Sequence, residues 1–259
     1  MQSRRQSASI YQRLKQRRMR RWRWLLVLII VGLIGGAGYG VFHWWQLRHQ
    51  TMMAKYPVTG AAIDQDAGFL DFQALSKTGV KFVYLKTTVG NRYTDDDFAG
   101  NYSRSGGSGN TLKVGVYMVY SPNSPVLSQT TYFEKQVGSD TGTLPIMVSV
   151  PDTGSSFGST KAIERTVARL TAMITTLRTD YQQPVLLWTS IDGYQALKGK
   201  LSHTMFSLDD SKLTKRSPQD VQFISYDDNG SLIVAGERQS MSLMVYNGSK
   251  QSFDALSNE

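Results

Sequence analysis

Residues 79–102 read GVKFVYLKTTVGNRYTDDDFAGNY, and the way this stretch divides decides the fold. Val80–Lys86 is a short apolar run of strand length, rich in β-branched and aromatic residues. Helical spacing takes over in DDDFAGNYSRS (95–105), opened by Asp95, Asp96 and Asp97. Carboxylates there favour the positive end of a helix dipole, so the three acids read as a cap rather than a metal site.

The same alternation runs outward in both directions. Strand-like runs are VTGAAID (58–64), VKFVYLK (80–86), LKVGVYMV (112–119), LPIMVSV (144–150), PVLLWTS (184–190), HTMFSL (203–208), VQFISY (221–226) and SLMVYN (242–247). Helical patterns separate several of them: DFQALSKT, DDDFAGNYSRS, SQTTYFEKQVG and TKAIERTVARLTAMITTLRTDY (160–181). The last carries a stripe of Ile163, Val167, Leu170, Ile174 and Leu177 at helical period. Strands alternating with helices predict an α/β fold with a parallel sheet, and eight strands predict a (β/α)8-like barrel. The last three strands have little helix between them, so the barrel is expected to be irregular there.

Chemistry in such a barrel collects at the C-terminal ends of the strands. Those ends are Asp64 and Asp66, Thr87–Val89, Tyr117–Tyr120, Ser149–Asp152, Trp188–Ser190, Tyr226–Asp228 and Tyr246–Asn247. A rim of aromatic rings and hydroxyls suits sugars, which stack on the former and bond the latter. Tyr117, Tyr120, Trp188 and Tyr226 are the candidate glycan contacts.

The formal charge of +9 is a property of the tail, not of the barrel. Ten of the 29 Lys and Arg residues fall within positions 1–48, which hold no acid, while 19 basic residues meet 20 acidic ones thereafter. A barrel close to neutral lacks the basic stripe that nucleic-acid binding requires. Residues 24–45, WLLVLIIVGLIGGAGYGVFHWW, have the length and apolarity of a transmembrane helix, with tryptophans at both ends. The basic segment 1–23 before it predicts a cytoplasmic N-terminus by the positive-inside rule. The expected layout is a cytoplasmic tail (1–23), an uncleaved single-pass signal anchor (24–45), a linker (46–56) and an extracellular barrel (57–259). The chain has no cysteine and only three histidines, one of them (His203) in the barrel, so neither a metal site nor a cofactor is expected. Ser149 lacks the Gly-x-Ser-x-Gly turn of a hydrolase nucleophile.

The order of these segments resembles glycoside hydrolase family 25, the Chalaropsis-type lysozymes that cleave the muramyl bond of peptidoglycan. The resemblance runs from residue 57 to about 255 and is strongest at 79–102. There Lys86-Thr87-Thr88-Val89-Gly90 stands where the family has Lys-Ala-Thr-Glu-Gly. Tyr93, Asp95, Phe98 and Asn101 match its Tyr-x-Asp-x-x-Phe-x-x-Asn segment. Asp64 closing VTGAAID, the run Gly68–Phe72, KVGVYMV, LPIMVSV, PVLLWTS and the C-terminal VQFISYDDNG continue it.

The resemblance implies a bacterial cell-wall enzyme whose fourth principal strand ends Asp-x-Glu. Residues i and i+2 of a strand project from one face, roughly 7 Å apart. Two carboxyls there supply the acid and the charge-stabilising group that glycoside cleavage needs. In this chain those positions are Ser149 and Pro151. Val89 replaces the glutamate of Lys-Ala-Thr-Glu-Gly, Ser242 replaces a late aspartate, and Asp64 alone is retained among the acids that the resemblance assigns to the site. The first expectation is a lysozyme-like pseudoenzyme that binds peptidoglycan glycan strands or a cell-envelope protein. The alternative is an active N-acetylmuramidase with a rearranged site, in which Asp152, kinked inward after Pro151, faces Asp64.

Overall fold

The computed structural model describes residues 30–32, 34–36, 38–40, 55–107, 111–211 and 218–256. The chain divides into two units, residues 1–54 and 55–259. In the first, the described residues between 30 and 40 are helical. The expected span 24–45 otherwise lies outside the described residues, as do the tail 1–23 and most of the linker. Among the described residues no helix is long and apolar enough to cross a membrane.

The second unit is a closed ring. Its elements are β1 (Thr59–Ile63), α1 (Phe72–Lys77), β2 (Phe82–Val89), β3 (Tyr93–Thr94), α2 (Phe98–Ser105), β4 (Lys113–Val119), α3 (Val126–Val137) and β5 (Ile146–Ser149). These are followed by α4 (Gly154–Phe157), α5 (Thr160–Tyr181), β6 (Val185–Ser190), α6 (Ile191–Leu197), β7 (Met205–Asp209) and β8 (Val221–Asp227). The hairpin β9 (Ser231–Val234) and β10 (Glu237–Ser240), β11 (Ser242–Tyr246) and α7 (Lys250–Ala255) end the domain. Strand order is β1-β11-β8-β7-β6-β5-β4-β2, and β1 pairs with β2 to close eight strands into a barrel. Seven run parallel. The irregularity expected in the last strands is β11, antiparallel to both β1 and β8. The hairpin β9–β10 reverses the chain between β8 and β11 and takes no place in the ring.

The barrel interior is packed. Ala62, Tyr84, Tyr117, Met147, Trp188, Phe223, Met244 and Tyr246 belong to one buried cluster. Large rings on β2 are matched by glycines on its neighbours. A Cβ at Gly60 would fall 2.4 Å from the Phe82 ring, and one at Gly115 would fall 2.7 Å from Tyr84. Packing at interior density leaves no slack for either. Phe253 of α7 closes the N-terminal end of the barrel, its ring 5.6 Å from Phe82 and 5.3 Å from Tyr246. The other end is the mouth.

The long helix α5 spans the predicted residues, with Ser159 as its N-cap accepting from the Ala162 amide. Its buried stripe differs at the start. Ala162 and Thr166 are buried while Ile163 and Val167 are half-buried. The first turns rotate to pack on α4, where Thr166 Oγ1 donates to the Ser156 carbonyl at 3.0 Å.

Candidate functional site

Strand alternation decides what reaches the mouth, because every second side chain points inward. On the β1–β2 side, Asp64 follows β1 and opens a 3-10 turn (Gln65–Ala67), its Oδ1 accepting from the Asp66 amide at 3.1 Å. Its Oδ2 lies 3.4 Å from Nζ of Lys86, which shares an inward face with Phe82 and Tyr84. Both side chains are partly exposed, so the pair contributes under about 1 kcal/mol. β3 extends this wall beyond the end of β1, pairing with Thr88 and Val89, and the Tyr93 hydroxyl donates to Gln65 Oε1.

The three acids at 95–97 do more than precede a helix. Asp97 is the N-cap residue of α2 but makes no side-chain cap bond. Asp95, 2% exposed, accepts from the Gln65 amide at 2.9 Å and the Asp97 amide at 3.2 Å. It ties α2 to the end of β1, correcting the expectation of a simple cap. Burial pushes its pKa up; the two amides and Lys86 oppose this, and Asp64 adds to it.

The β5 tip carries no charge. Ser149 lies beside Val119 on β4 and Trp188 on β6, on the face that Met147 presents to the core. Pro151, two residues on, is half-buried. The carboxylate of Asp152 is exposed and accepts from Ser190 Oγ at 2.8 Å. That places it against β6, four strands round the ring from β1 and Asp64. Val89 sits at the far end of β2, paired with Tyr93 and Val119. Ser242 Oγ donates to the Asp228 carbonyl at 3.2 Å.

The β6–β8 side is different. Asp209 ends β7, one residue beyond the strand expected from sequence, on the same face as Met205 and Ser207. Its Oδ1 accepts from the indole N–H of Trp188. Burial raises its pKa to about 6, against the pull of the Trp188 hydrogen bond and with help from the charge of Asp228. Asp228 in turn accepts from Ser225 Oγ. No element of the sequence reading pointed to Asp209. Extending the alternation Met205, Ser207 by one step would have found it.

Of the four aromatic candidates, two reach the mouth side of the core. The rings of Tyr117 and Trp188 meet edge to face at 5.3 Å, and both are more than nine-tenths buried. Burial, and after it the charges of Asp64, Asp95 and Asp66, push the Tyr117 hydroxyl well up. Tyr117 thus stands between the Asp64 side and the Asp209 side. Tyr120 does not share that face: its hydroxyl accepts from Arg169 Nε of α5 at 2.8 Å, and its ring is 1% exposed. Residues three apart on a strand point opposite ways, which removes Tyr120 from the rim. Tyr226 alternates away from Phe223 and Ser225, half-buried, with its hydroxyl raised to about 12 by burial and by Asp227. Among the described residues no three His, Cys, Asp or Glu side chains are placed to hold a metal ion.

The domain is an eight-stranded α/β barrel with a polar, acid-bearing mouth at the C-terminal ends of its parallel strands. The family model for glycosyl hydrolases family 25 matches residues 63–205, and the chain belongs to that family. Two stretches resemble curated lysozymes. Lysozyme M1 of Streptomyces globisporus is 30% identical over 97 residues, covering 36% of this chain and 32% of that protein. The autolytic lysozyme of Clostridium acetobutylicum is 34% identical over 74 residues, covering 29% of this chain and 22% of that protein. The chain thus spans a third or less of the curated relatives it matches. A family 25 glycosyl hydrolase structure from Bacillus anthracis superposes with a TM-score of 0.68 at 22% identity, covering 78% of this chain and 94% of that one. At that identity the likeness is one of fold.

Proposed function

We propose that this is a membrane-anchored, extracellular member of family 25 that binds peptidoglycan glycan strands and no longer hydrolyses them. The observation that carries this reading is the β5 tip, where Ser149 and Pro151 leave the mouth without the adjacent carboxyl pair on which glycoside cleavage depends. Asp64 is held by Lys86, and Asp152 is committed to Ser190. A serine hydroxyl cannot replace the charge of a carboxylate beside an oxocarbenium-like centre. Loss of acid catalysis alone costs about 10²–10⁴-fold in rate.

The anchor is supported by the composition of residues 24–45 and by the described helical residues within them. Ile30, Val31 and Ile34 are 53%, 60% and 67% exposed, an apolar surface that lipid would cover. Replacing 24–45 with a glycine-serine stretch is expected to move the protein out of the membrane fraction; retention there would overturn the anchor. Incubation of the full chain with purified sacculi is expected to give co-sedimentation without muropeptide release. Release would overturn the loss of catalysis, and absence from the pellet would overturn glycan binding in favour of an envelope protein as partner.

One observation favours a second reading, an active N-acetylmuramidase with rearranged carboxyls. Asp209, with a pKa of about 6 in the mouth, holds its proton in the range a general acid requires. On that reading muropeptide release would disappear with Asp209→Asn.

A further inference from the structure

We infer that the base of the barrel, the end opposite the mouth, is a contact surface for anionic lipid headgroups that stands the domain on the bilayer with its mouth turned away. This rests on the reading of residues 24–45 as an anchor and is independent of what the mouth binds.

A barrel that is neutral in sum is polarised end to end. Lys77, Lys81, Lys135, Lys198, Lys200 and Lys250 are exposed at the base, where the parallel strands begin and the helices that follow them end. Lys55 joins them where the chain enters the domain. Among the described residues the exposed acids at this end are Asp140, Asp180 and Asp254. The mouth has the reverse sign. Its exposed acids, Asp66, Asp96, Asp152, Asp192, Asp227 and Asp228 among them, outnumber the exposed cations Arg92, Lys161, Arg165 and Arg238.

Helix dipoles account for part of this pattern, since Lys77 and Lys135 lie in the last turns of α1 and α3. They do not account for Lys55, Lys81 and Lys200 in loops, or for Lys250, which opens α7 where the dipole opposes a cation. The Lys113 amide donates to the Lys81 carbonyl, so two lysines begin adjacent strands side by side. The side chains of Lys77, Lys81, Lys135 and Lys250 make no hydrogen bond or ion pair among the described residues. A second observation turns this end toward lipid. Tyr56, 6% exposed, fixes the chain to the base just before β1. The residues 46–55 that precede it reach at most about 35 Å when fully extended. A tether of that length would still let the domain lie on its side; charge selects the base. Each lysine near an anionic surface raises partitioning about fivefold, and carboxylates at the mouth are repelled.

The chain has no cysteine, so one introduced thiol reports one position. Gln251→Cys at the base and Asn229→Cys at the mouth, both exposed, would each carry a fluorophore on the full chain in lipid nanodiscs containing a headgroup nitroxide quencher. In discs of phosphatidylglycerol and phosphatidylcholine, quenching at 251 is expected to exceed that at 229 at least twofold. The excess should fall to near equality in phosphatidylcholine alone, in 0.5 M salt, and in a variant combining Lys77→Gln, Lys81→Gln, Lys135→Gln and Lys250→Gln; thermal melts verify that each variant is folded. Equal quenching at the two positions in anionic discs would overturn the lipid contact, and lysine-dependent retention on polymer-bearing sacculi would then assign the base to an anionic wall polymer. An excess at 251 that survives in phosphatidylcholine and in the lysine variant would also overturn it, leaving the tether alone to set the orientation. A chain that does not enter nanodiscs at all would overturn the anchor reading, and this inference with it.

Discussion

β5 and β7 end two strands apart in the same ring, and their tips carry opposite chemistry. β5 ends in Ser149 with Pro151 beyond it, a tip with no charge whose nearest acid, Asp152, is exposed and bound to Ser190. β7 ends in Asp209, half-buried, bonded to an indole and crowded by Asp228. What separates them is environment. An exposed acid costs nothing and does little, whereas one half-buried beside a second carboxylate has its pKa raised and destabilises the domain at neutral pH. The position where the family fold is expected to hold its acids is vacant of them here, and an acid sits two strands away.

The comparison can be broken most sharply by refilling β5. Ser149→Asp combined with Pro151→Glu should give muropeptide release from sacculi at least about 100-fold above the wild-type level, the scale of one positioned acid. Release that stays at the wild-type level would mean that the β5 tip does not limit hydrolysis in this chain.

Effects at the β7 tip should be smaller and pH-dependent. Trp188→Phe keeps an aromatic ring but leaves Asp209 Oδ1 without its donor, which should cost about 1–3 kcal/mol in urea unfolding at pH 7.5. Asp209→Asn should act in the other direction. Its folded pKa of about 6 lies above the ordinary 3.8, so the native state binds the proton more tightly than the unfolded chain. The penalty for the ionised carboxyl is therefore absent below about pH 4, grows between 4 and 6, and is complete above 6. The variant should be more stable than wild type by on the order of 2 kcal/mol at pH 7.5 and equal to it at pH 4. A stability difference that does not vary with pH would remove Asp209 from this account. Lys86→Met, at the half-exposed pair with Asp64, should shift stability by under about 1 kcal/mol, in a salt-dependent way.

The sequence exposed the strands well because each is a short apolar run bounded by polar residues. All eight ring strands and the four helices read from periodicity lie where the pattern placed them, within a few residues. β3, β9 and β10 leave no mark in the sequence: two to four residues with mixed polarity give no periodic signal. The site was less legible. Tyr117 and Trp188 reach the mouth side, but Tyr120, aromatic and at a strand end, lies three residues from Tyr117 and bonds Arg169 of α5 instead. Asp209 is not legible in the sequence because the apolar run stops at Leu208. A charged residue on the inward face has no hydrophobic signature.

By itself, then, the chain determined the order of strands and helices, the neutral charge of the barrel, the apolar segment at 24–45 and the absence of acids at Ser149 and Pro151. These are local properties, written in residue type and spacing. Only the tertiary structure decided that Asp95 would clamp the end of β1, that Asp152 would turn to Ser190, and that Asp209 would accept the indole N–H of Trp188. Asp95 is 30 residues from its Gln65 partner, Asp152 is 38 from Ser190, and Asp209 is 21 from Trp188. No local pattern encodes such pairings; they exist because closing the ring sets strand ends side by side.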